Sequence, residues 1–280
     1  TPQSRFYWLR ILVENPAALG SGFFLLTLLA LSFIGPLVSP YDAYTVNPVE
    51  RLRSPSGQHW FGTDQLGRDV LVRLLHGARV SLIVGVSATA ATVLLGSLLG
   101  LLAGYYSRLD APIMRFLDGL MAFPSILLAI AIMASLGPAT INVIVALTVV
   151  YTPSIARVVR GMVLLISRLP YVESARSVGV RDPQILWRYV YTNALSPVIV
   201  QGTFIVAYAI IAEASLSFLG AGVPPETPTW GNMLRDGQQV ITRAWWLTVF
   251  PGAALFTTVL ALNLLGDGLR DALDPRVRKR

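Results

Sequence analysis

The sequence predicts an all-α integral membrane protein with six transmembrane helices and with both termini in the cytoplasm. Hydrophobic residues make up 54% of the 280 residues, while Asp, Glu, Lys and Arg make up only 13%, about half of the ~25% found in soluble domains. Charge-free windows of the length that a spanning helix needs, about 20 residues, recur along the chain. The basic residues are also unequally divided between alternate loops, and this bias orients the helices.

The spans follow from five charge-free windows. Four of them accommodate one helix each and cover residues 17–38, 80–107, 189–212 and 244–266. The fifth covers 119–156, which at ~1.5 Å per residue is too long for one crossing. It predicts a hairpin that turns at Gly137-Pro138, and the six-span domain then runs from 17 to 266. Near the start of this hairpin, Arg115 and Asp118 are expected to pair with each other at the membrane interface.

The orientation follows from the basic residues. Fifteen of the 22 lie on the side of the termini, namely Arg5, Arg10, Arg108, Arg115, six arginines in 157–188 and five residues in 270–280. Seven lie on the other side. Because loops rich in Lys and Arg stay in the cytoplasm, residues 157–195 and 267–280 are predicted to be cytoplasmic. Residues 1–16 are expected to form a short interfacial helix on the same side.

The opposite side carries two long segments, an outer segment at 39–79 and an outer loop at 223–243. A surface helix is expected around 67–75, with an i,i+4 pair between Asp69 and Arg73. His59 and His76 are expected to be ordinary loop residues. Trp245 and Trp246, after the outer loop, are typical of an aromatic belt at the membrane interface.

Small and acidic residues within the spans are the next candidates. Gly96, Gly100 and Gly104 repeat every four residues, a spacing that lets helix backbones approach closely in lipid. Glu213 lies in the outward half of the fifth span, where an ionised side chain is costly without a partner. Two roles remain open for Glu213: a pathway carboxylate that meets the ammonium group of a peptide, or a structural hydrogen bond to a neighbouring helix.

Several kinds of chemistry are excluded by the residues themselves. The chain has no cysteine, which excludes disulfides and thiolate metal sites. Its single lysine, Lys279, is too close to the end for a phosphate-binding loop with its G-K-[ST] ending. Both histidines lie in the outer segment, so no base for catalysis is expected inside a span. No metal site, no cofactor in this chain and no nucleic-acid partner are expected.

The cytoplasmic loop 157–195 contains a recognisable motif. Glu173, Ser174, Ala175 and Gly179 stand in the pattern E-S-A-x-x-x-G, which resembles the E-A-A-x-x-x-G signature of ABC importer permeases. Three further strings are similar to the second permease of dipeptide and oligopeptide importers, a group that includes glutathione and nickel importers. They are WFGTDQLGRDVLVRLLHGARVSL, EASLSFLGAGVPPETPTWGNML and LNLLGDGLRDALDP. One departure is that Tyr191-Thr192 replaces the Leu-Pro of the signature.

The resemblance implies a type I importer permease in the bacterial plasma (inner) membrane that forms half of a translocation pathway. It implies a second permease, two cytoplasmic ATPase subunits that bind ATP and Mg²⁺, and an extracytoplasmic substrate-binding protein as partners. Glu173, Ser174, Ala175 and Gly179 would then form the contact with an ATPase. The alternative is a secondary transporter or channel that acts as a homo-oligomer. A transporter or channel of that class would carry ionisable residues in several spans. In this sequence Glu213 is the only ionisable residue expected in the middle of a span.

Overall fold

The computed structural model describes residues 15–273. The predicted interfacial helix at 1–16, apart from its last two positions, and the tail from 274 onwards lie outside this range. Within it the chain is helical, apart from loops and one isolated β-bridge between Thr63 and Asp69. The helices are α1 Pro16–Val38, α2 Val70–Tyr105, α3 Ser107–Met121, α4 Ser125–Leu136, α5 Thr140–Ile166, α6 Pro170–Ser177, α7 Asp182–Phe218, α8 Trp230–Gln238 and α9 Trp246–Leu273.

Five of these helices are long and apolar enough to cross a bilayer, namely α1, α2, α5, α7 and α9. A sixth crossing is available only if the pair α3 and α4, bent by 93° at a short break, counts as one span. After α4, Gly137 has a φ of 84° and the chain reverses into α5. The predicted all-helical class is therefore confirmed, but the third span is not the straight helix that its apolar window suggested.

Helix α2 differs from its predicted outline, because no separate surface helix precedes it. One continuous helix of 36 residues runs from Val70 to Tyr105. The predicted pair between Asp69 and Arg73 is also wrong. Asp69 caps the helix by accepting a 3.0 Å hydrogen bond from the amide of Val72, and the Arg73 Nε lies 3.4 Å from Oδ2 of Asp64. The helix continues through this charged stretch because the outer segment supplies partners for the charges.

Helix α3 is tied to α5 by two ion pairs. Arg157 Nη2 lies 2.6 Å from Asp118 Oδ1, so the expected pairing of Asp118 with Arg115 is wrong. Arg160 donates from Nε and Nη2 to the two oxygens of Asp110, at 2.5 and 2.7 Å. Sequence distance favoured the pair three residues apart, but the bend brings the acidic side chains of α3 to the arginines of α5 instead.

Helices α2 and α5 form the most extensive helix contact in the described range. The glycines of α2 lie directly against the backbone of α5. A Cβ atom at each would stand between 2.5 and 3.1 Å from a carbonyl oxygen: that of Thr152 for Gly96, Ala156 for Gly100 and Arg160 for Gly104. Only glycine leaves room for so close an approach.

The outer segment is a folded cap rather than a plain loop. His59 is 2% exposed, and its ring nitrogens lie 2.9 Å from Asp69 Oδ2 and 3.1 Å from Glu50 Oε2. The expectation that His59 is an ordinary surface residue is therefore wrong. His76 is not a loop residue either, since it lies in α2 with its ring edge-on to Tyr44. Nothing in the local sequence revealed these partners, which lie nine or more residues from His59.

The cap is also attached to the helices that follow α7. Trp246 is 4% exposed, and its indole nitrogen donates a 3.1 Å hydrogen bond to the carbonyl of Thr63. Gln65 donates to the backbone oxygen of Asp236 in α8 at 2.7 Å. Of the two predicted belt residues, Trp245 is half exposed, whereas Trp246 belongs to the core.

Candidate functional site

The connecting segment, residues 167–191, lies between α5 and the main part of α7. It contains the short helix α6 and the first turns of α7, residues 182–191. Pro170 opens α6, where its missing N–H is tolerated because first-turn amides have no partner within the helix. Glu173 lies in the first turn, where the helix dipole stabilises a carboxylate. Ser174 donates its hydroxyl to the carbonyl of Pro170 at 2.8 Å. The sequence thus specifies where this helix begins.

Gly179 reverses the chain after α6. Its φ is 82°, in the left-handed region, and a Cβ built on it would meet no atom within 4 Å. The amide of Val180 donates to the carbonyl of Ala175 at 3.1 Å, and the amide of Gly179 to that of Arg176 at 3.0 Å. This is the hydrogen-bond pattern with which glycine ends many helices. Glycine is therefore required by the backbone conformation and not by crowding.

The motif residues divide between two faces of α6. Glu173, Ser174 and Gly179 are exposed, and the neighbouring Val178 is 80% exposed. Ala175, which the resemblance placed in the contact with an ATPase, is buried and faces the protein's own interior. Its small side chain therefore lets α6 lie close to the rest of this chain, while the exposed face is available for contact with another protein.

A π-helical turn at Ile185–Tyr191 follows within α7. The Thr192 hydroxyl donates to the carbonyl of Trp187 at 3.1 Å, and the Asn193 amide to that of Tyr189 at 2.6 Å. Both bonds satisfy carbonyl groups at the end of the wide turn. Thr192, which replaces the proline of the resembled signature, thus contributes a hydroxyl donor that proline lacks. No pattern in the sequence predicted a π-helix here.

Glu213 lies in the interior of the bundle and has no exposed surface. Its Oε2 accepts a 2.7 Å hydrogen bond from Ser81 in α2, and its Oε1 accepts a 2.9 Å bond from Ser217. The Ser217 hydroxyl also accepts from the amide of Val223 at 3.2 Å. Glu213 therefore connects two spans and the start of the outer loop, and its carboxylate has no open access to solvent in this conformation.

A groove of 330 Å³ opens on another face of the bundle. Its walls come from α4, α5 and α7, and the α7 residues stand at helical spacing on one face. The lining residues are Ser125, Ile126, Ala129, Leu147, Val150, Tyr151, Tyr208, Ile211, Ala212 and Ser215. None of them is ionisable at neutral pH, so four hydroxyl groups supply the side-chain polarity. No pattern in the sequence predicted this groove, because its walls meet only in the folded bundle.

The fold and these sites define a polytopic helical membrane protein with an exposed connecting helix. The chain belongs to the family described as "binding-protein-dependent transport system inner membrane component", which matches residues 93–279. Residues 7–55 match a second family, described as the "N-terminal TM domain of oligopeptide transport permease C". Membership confirms the predicted transport role without catalysis and the predicted location in the bacterial inner membrane.

Named relatives match along nearly the whole chain. The glutathione transport system permease protein GsiD of Pectobacterium atrosepticum is 45% identical over 276 residues, 98% of this chain and 91% of the relative. The di/tripeptide transport system permease protein DppC of Pseudomonas aeruginosa is 42% identical over 272 residues, 95% and 90% of the two chains. These relatives confirm that the chain is a permease of the ABC importer class.

Solved structures confirm the fold. A chain of the MetNI methionine ABC transporter in an inward-facing conformation matches with a TM-score of 0.59 at 19% identity, covering 72% of this chain and 96% of that one. A chain of an amino acid ABC transporter matches with a TM-score of 0.55 at 16% identity, covering 71% and 92%. At these identities the likeness concerns the arrangement of helices alone.

Proposed function

We propose that this chain is the second permease of an ATP-driven importer for di- and oligopeptides or related small solutes. The observation that carries the proposal is the connecting helix α6, which presents Glu173, Ser174 and Val178 outward between two spans. The names of the relatives, which include glutathione and di/tripeptide permeases, support the substrate class. Such a permease needs an external motor, because its sequence offers no phosphate-binding loop.

The two ends of the bundle face different partners in this proposal. The connecting segment lies in the cytoplasm, as the Lys/Arg bias predicts, and docks on one of two ATPase subunits that hold ATP and Mg²⁺. The cap, together with the attached helix α8, faces the substrate-binding protein. A second permease completes the heterodimer. The extensive hydrogen bonding of the cap supports a rigid docking surface on that side.

The groove between α4, α5 and α7 is this chain's half of the translocation pathway. It combines hydroxyl groups with apolar walls, whereas the exposed face of α1 is formed by leucine and phenylalanine side chains such as Leu26 and Phe23 and suits lipid. No charged side chain in this lining attracts cargo of one sign over the other. In this proposal the selection between peptides is therefore made mainly by the binding protein.

The experiment is reconstitution of the chain with the permease, ATPases and binding protein that the proposal expects to be encoded beside it, in lipid nanodiscs and in proteoliposomes. ATP hydrolysis should rise when peptide-loaded binding protein is added, and peptide should enter the vesicles. Ala212→Trp, which fills the groove, should abolish uptake. Leu26→Trp, at an exposed position of α1, is the matched control and should leave uptake intact. Purification as a homo-oligomer that transports without ATPases would overturn the proposal.

A further inference from the structure

Tyr105, the last residue of α2, contacts the connecting segment on both sides of its reversal at Gly179. The Tyr105 hydroxyl donates a 2.6 Å hydrogen bond to Oδ1 of Asp182, at the start of α7. Arg176, in the last turn of α6, donates from Nη2 to the same hydroxyl at 3.4 Å. Its guanidinium carbon also lies 5.6 Å from the centroid of the Tyr105 ring. One side chain of α2 thus holds α6 and α7 together.

A second contact joins α2 to this part of the chain. The Tyr191 hydroxyl, at the end of the π-helical turn, donates to the hydroxyl of Ser97 at 3.4 Å. Leu101 and Tyr105 also pack against the apolar cluster that contains Val172 of α6 and Ile185 of α7. The connecting segment is therefore attached to α2 by polar and apolar contacts along two turns of that helix.

Helix α2 is one continuous helix without an interior proline. The other four long spans each contain an interior proline, Pro36, Pro153, Pro197 or Pro251, whereas α2 has none among its 36 residues. Proline interrupts the hydrogen-bond ladder and is the commonest cause of a kink. At ~1.5 Å per residue, α2 is about 54 Å long. Its glycines also hold it tightly against α5 over the inner half of its length.

The far end of α2 is fixed in the cap. Asp69 caps the helix and also contacts His59, while Arg73 contacts Asp64 and donates from Nη1 to the carbonyl of Ala43 at 3.0 Å. A displacement of the cap is therefore transferred to α2 at one end, and a displacement of α2 reaches Asp182 and Arg176 at the other. Chains of packed and hydrogen-bonded groups of this kind can carry coupling between distant sites.

We propose that α2 relays the docking of the binding protein on the cap to the connecting segment, and that Tyr105 is the positioning residue that completes this relay. The inference rests on the proposed function, because it takes the cap and the connecting segment as docking surfaces for the binding protein and an ATPase. Tyr105 acts through Asp182 and Arg176 and need not touch either partner. Removing its hydroxyl loosens the attachment while leaving the ring and its apolar packing in place.

The test is Tyr105→Phe in the reconstituted complex, with ATP hydrolysis measured with and without peptide-loaded binding protein. The stimulation ratio should fall about threefold or more, as the loss of one charge-assisted hydrogen bond allows. Basal hydrolysis and the yield of the complex should stay at the wild-type level. Tyr106→Phe is the matched control, because within residues 15–273 the Tyr106 hydroxyl makes no hydrogen bond. It should keep the wild-type ratio.

Two changes at Asp182 separate the relay from a merely structural role. Asp182→Asn keeps the Oδ1 acceptor and should retain most of the stimulation. Asp182→Ala should show the same loss of stimulation as Tyr105→Phe. The double variant with Tyr105→Phe and Asp182→Ala should be no worse than either single variant. Unchanged stimulation in Tyr105→Phe, or an equal loss of basal activity and complex yield, would overturn the relay alone. A wild-type complex that the binding protein does not stimulate would overturn the proposed function and the relay with it.

Discussion

The hydroxyl of Ser81 in α2 donates a 2.7 Å hydrogen bond to the carboxylate of Glu213 in α7, and neither residue has any exposed surface. The other carboxylate oxygen accepts from Ser217, one turn along α7. Both oxygens therefore have neutral donors in the buried interior of the bundle, where an unpaired polar group is costly. Of the two roles left open by the sequence, this geometry favours the structural one.

A structural Glu213 should tolerate an amide and not an aliphatic side chain. Glu213→Gln keeps the shape and an acceptor oxygen, and its amide can donate to a serine oxygen. Glu213→Leu leaves the Ser81 and Ser217 hydroxyls without their acceptor, at a cost of about 1–3 kcal/mol. We expect near-normal complex yield and uptake for the first variant and poor yield for the second. Normal yield with lost uptake in Glu213→Gln would place the carboxylate in the pathway instead.

Gly96, Gly100 and Gly104 of α2 form a seam against α5, and this seam should not tolerate even one added methyl group. The Cβ of Gly100→Ala would stand 2.5 Å from the carbonyl oxygen of Ala156, a backbone atom that can move only with its helix. Such overpacking costs about 1–3 kcal/mol. Gly161→Ala in α5, with no atom within 4 Å of the new Cβ, is the matched control and should be neutral or slightly stabilising. Thermal unfolding in detergent compares the two, and equal midpoints would contradict the role of the seam.

Local patterns in the sequence predicted the long apolar helices and the turn at Gly137, because apolar length and turn-forming residues are properties of a few adjacent residues. Features that depend on distant partners were not predictable in this way. His59 was expected to be an ordinary loop residue and Trp246 a member of an aromatic belt, yet each is buried by a partner that becomes its neighbour only on folding. The groove and the Tyr105 contacts likewise join residues from separate helices, so no single window of sequence contains them.

Backbone strain at Gly179 should be enough by itself to impair uptake. A non-glycine residue at a φ of 82° is strained even where there is space for its side chain, at a cost of roughly 1–2 kcal/mol. Gly179→Ala should therefore lower uptake partially, and Gly179→Trp, which also places a bulky ring on the exposed face of the connecting segment, should abolish it. The bundle should stay folded in both, since the site lies outside the spans. Wild-type uptake and ATPase co-purification by Gly179→Trp would remove this segment from the docking surface.

The pH dependence of stability should carry a contribution from Asp236 in α8. Burial raises the pKa of this carboxyl, and the nearby Arg73 only partly opposes the effect. The folded protein therefore binds the proton more tightly than the unfolded chain, so the stabilisation is present at low pH and is lost as the pH rises through the folded pKa. Asp236→Asn removes the titrating carboxyl and therefore the loss of stability that accompanies its ionisation. Its unfolding midpoint in detergent should exceed that of the wild type at neutral pH, and the difference should shrink on acidification.

Asp42 provides the control with the opposite sign. A hydrogen bond from the amide of Tyr44 lowers the pKa of Asp42, at an exposed position of the cap. Its stabilisation is therefore present at neutral pH and is lost as the pH falls through the folded pKa. Asp42→Asn should lower the unfolding midpoint at neutral pH, and this difference should also shrink on acidification. Because the two variants change the same charge on the same side of the bundle, shifts of equal sign at neutral pH would show that net charge, and not the environment of each carboxyl, sets the pH dependence.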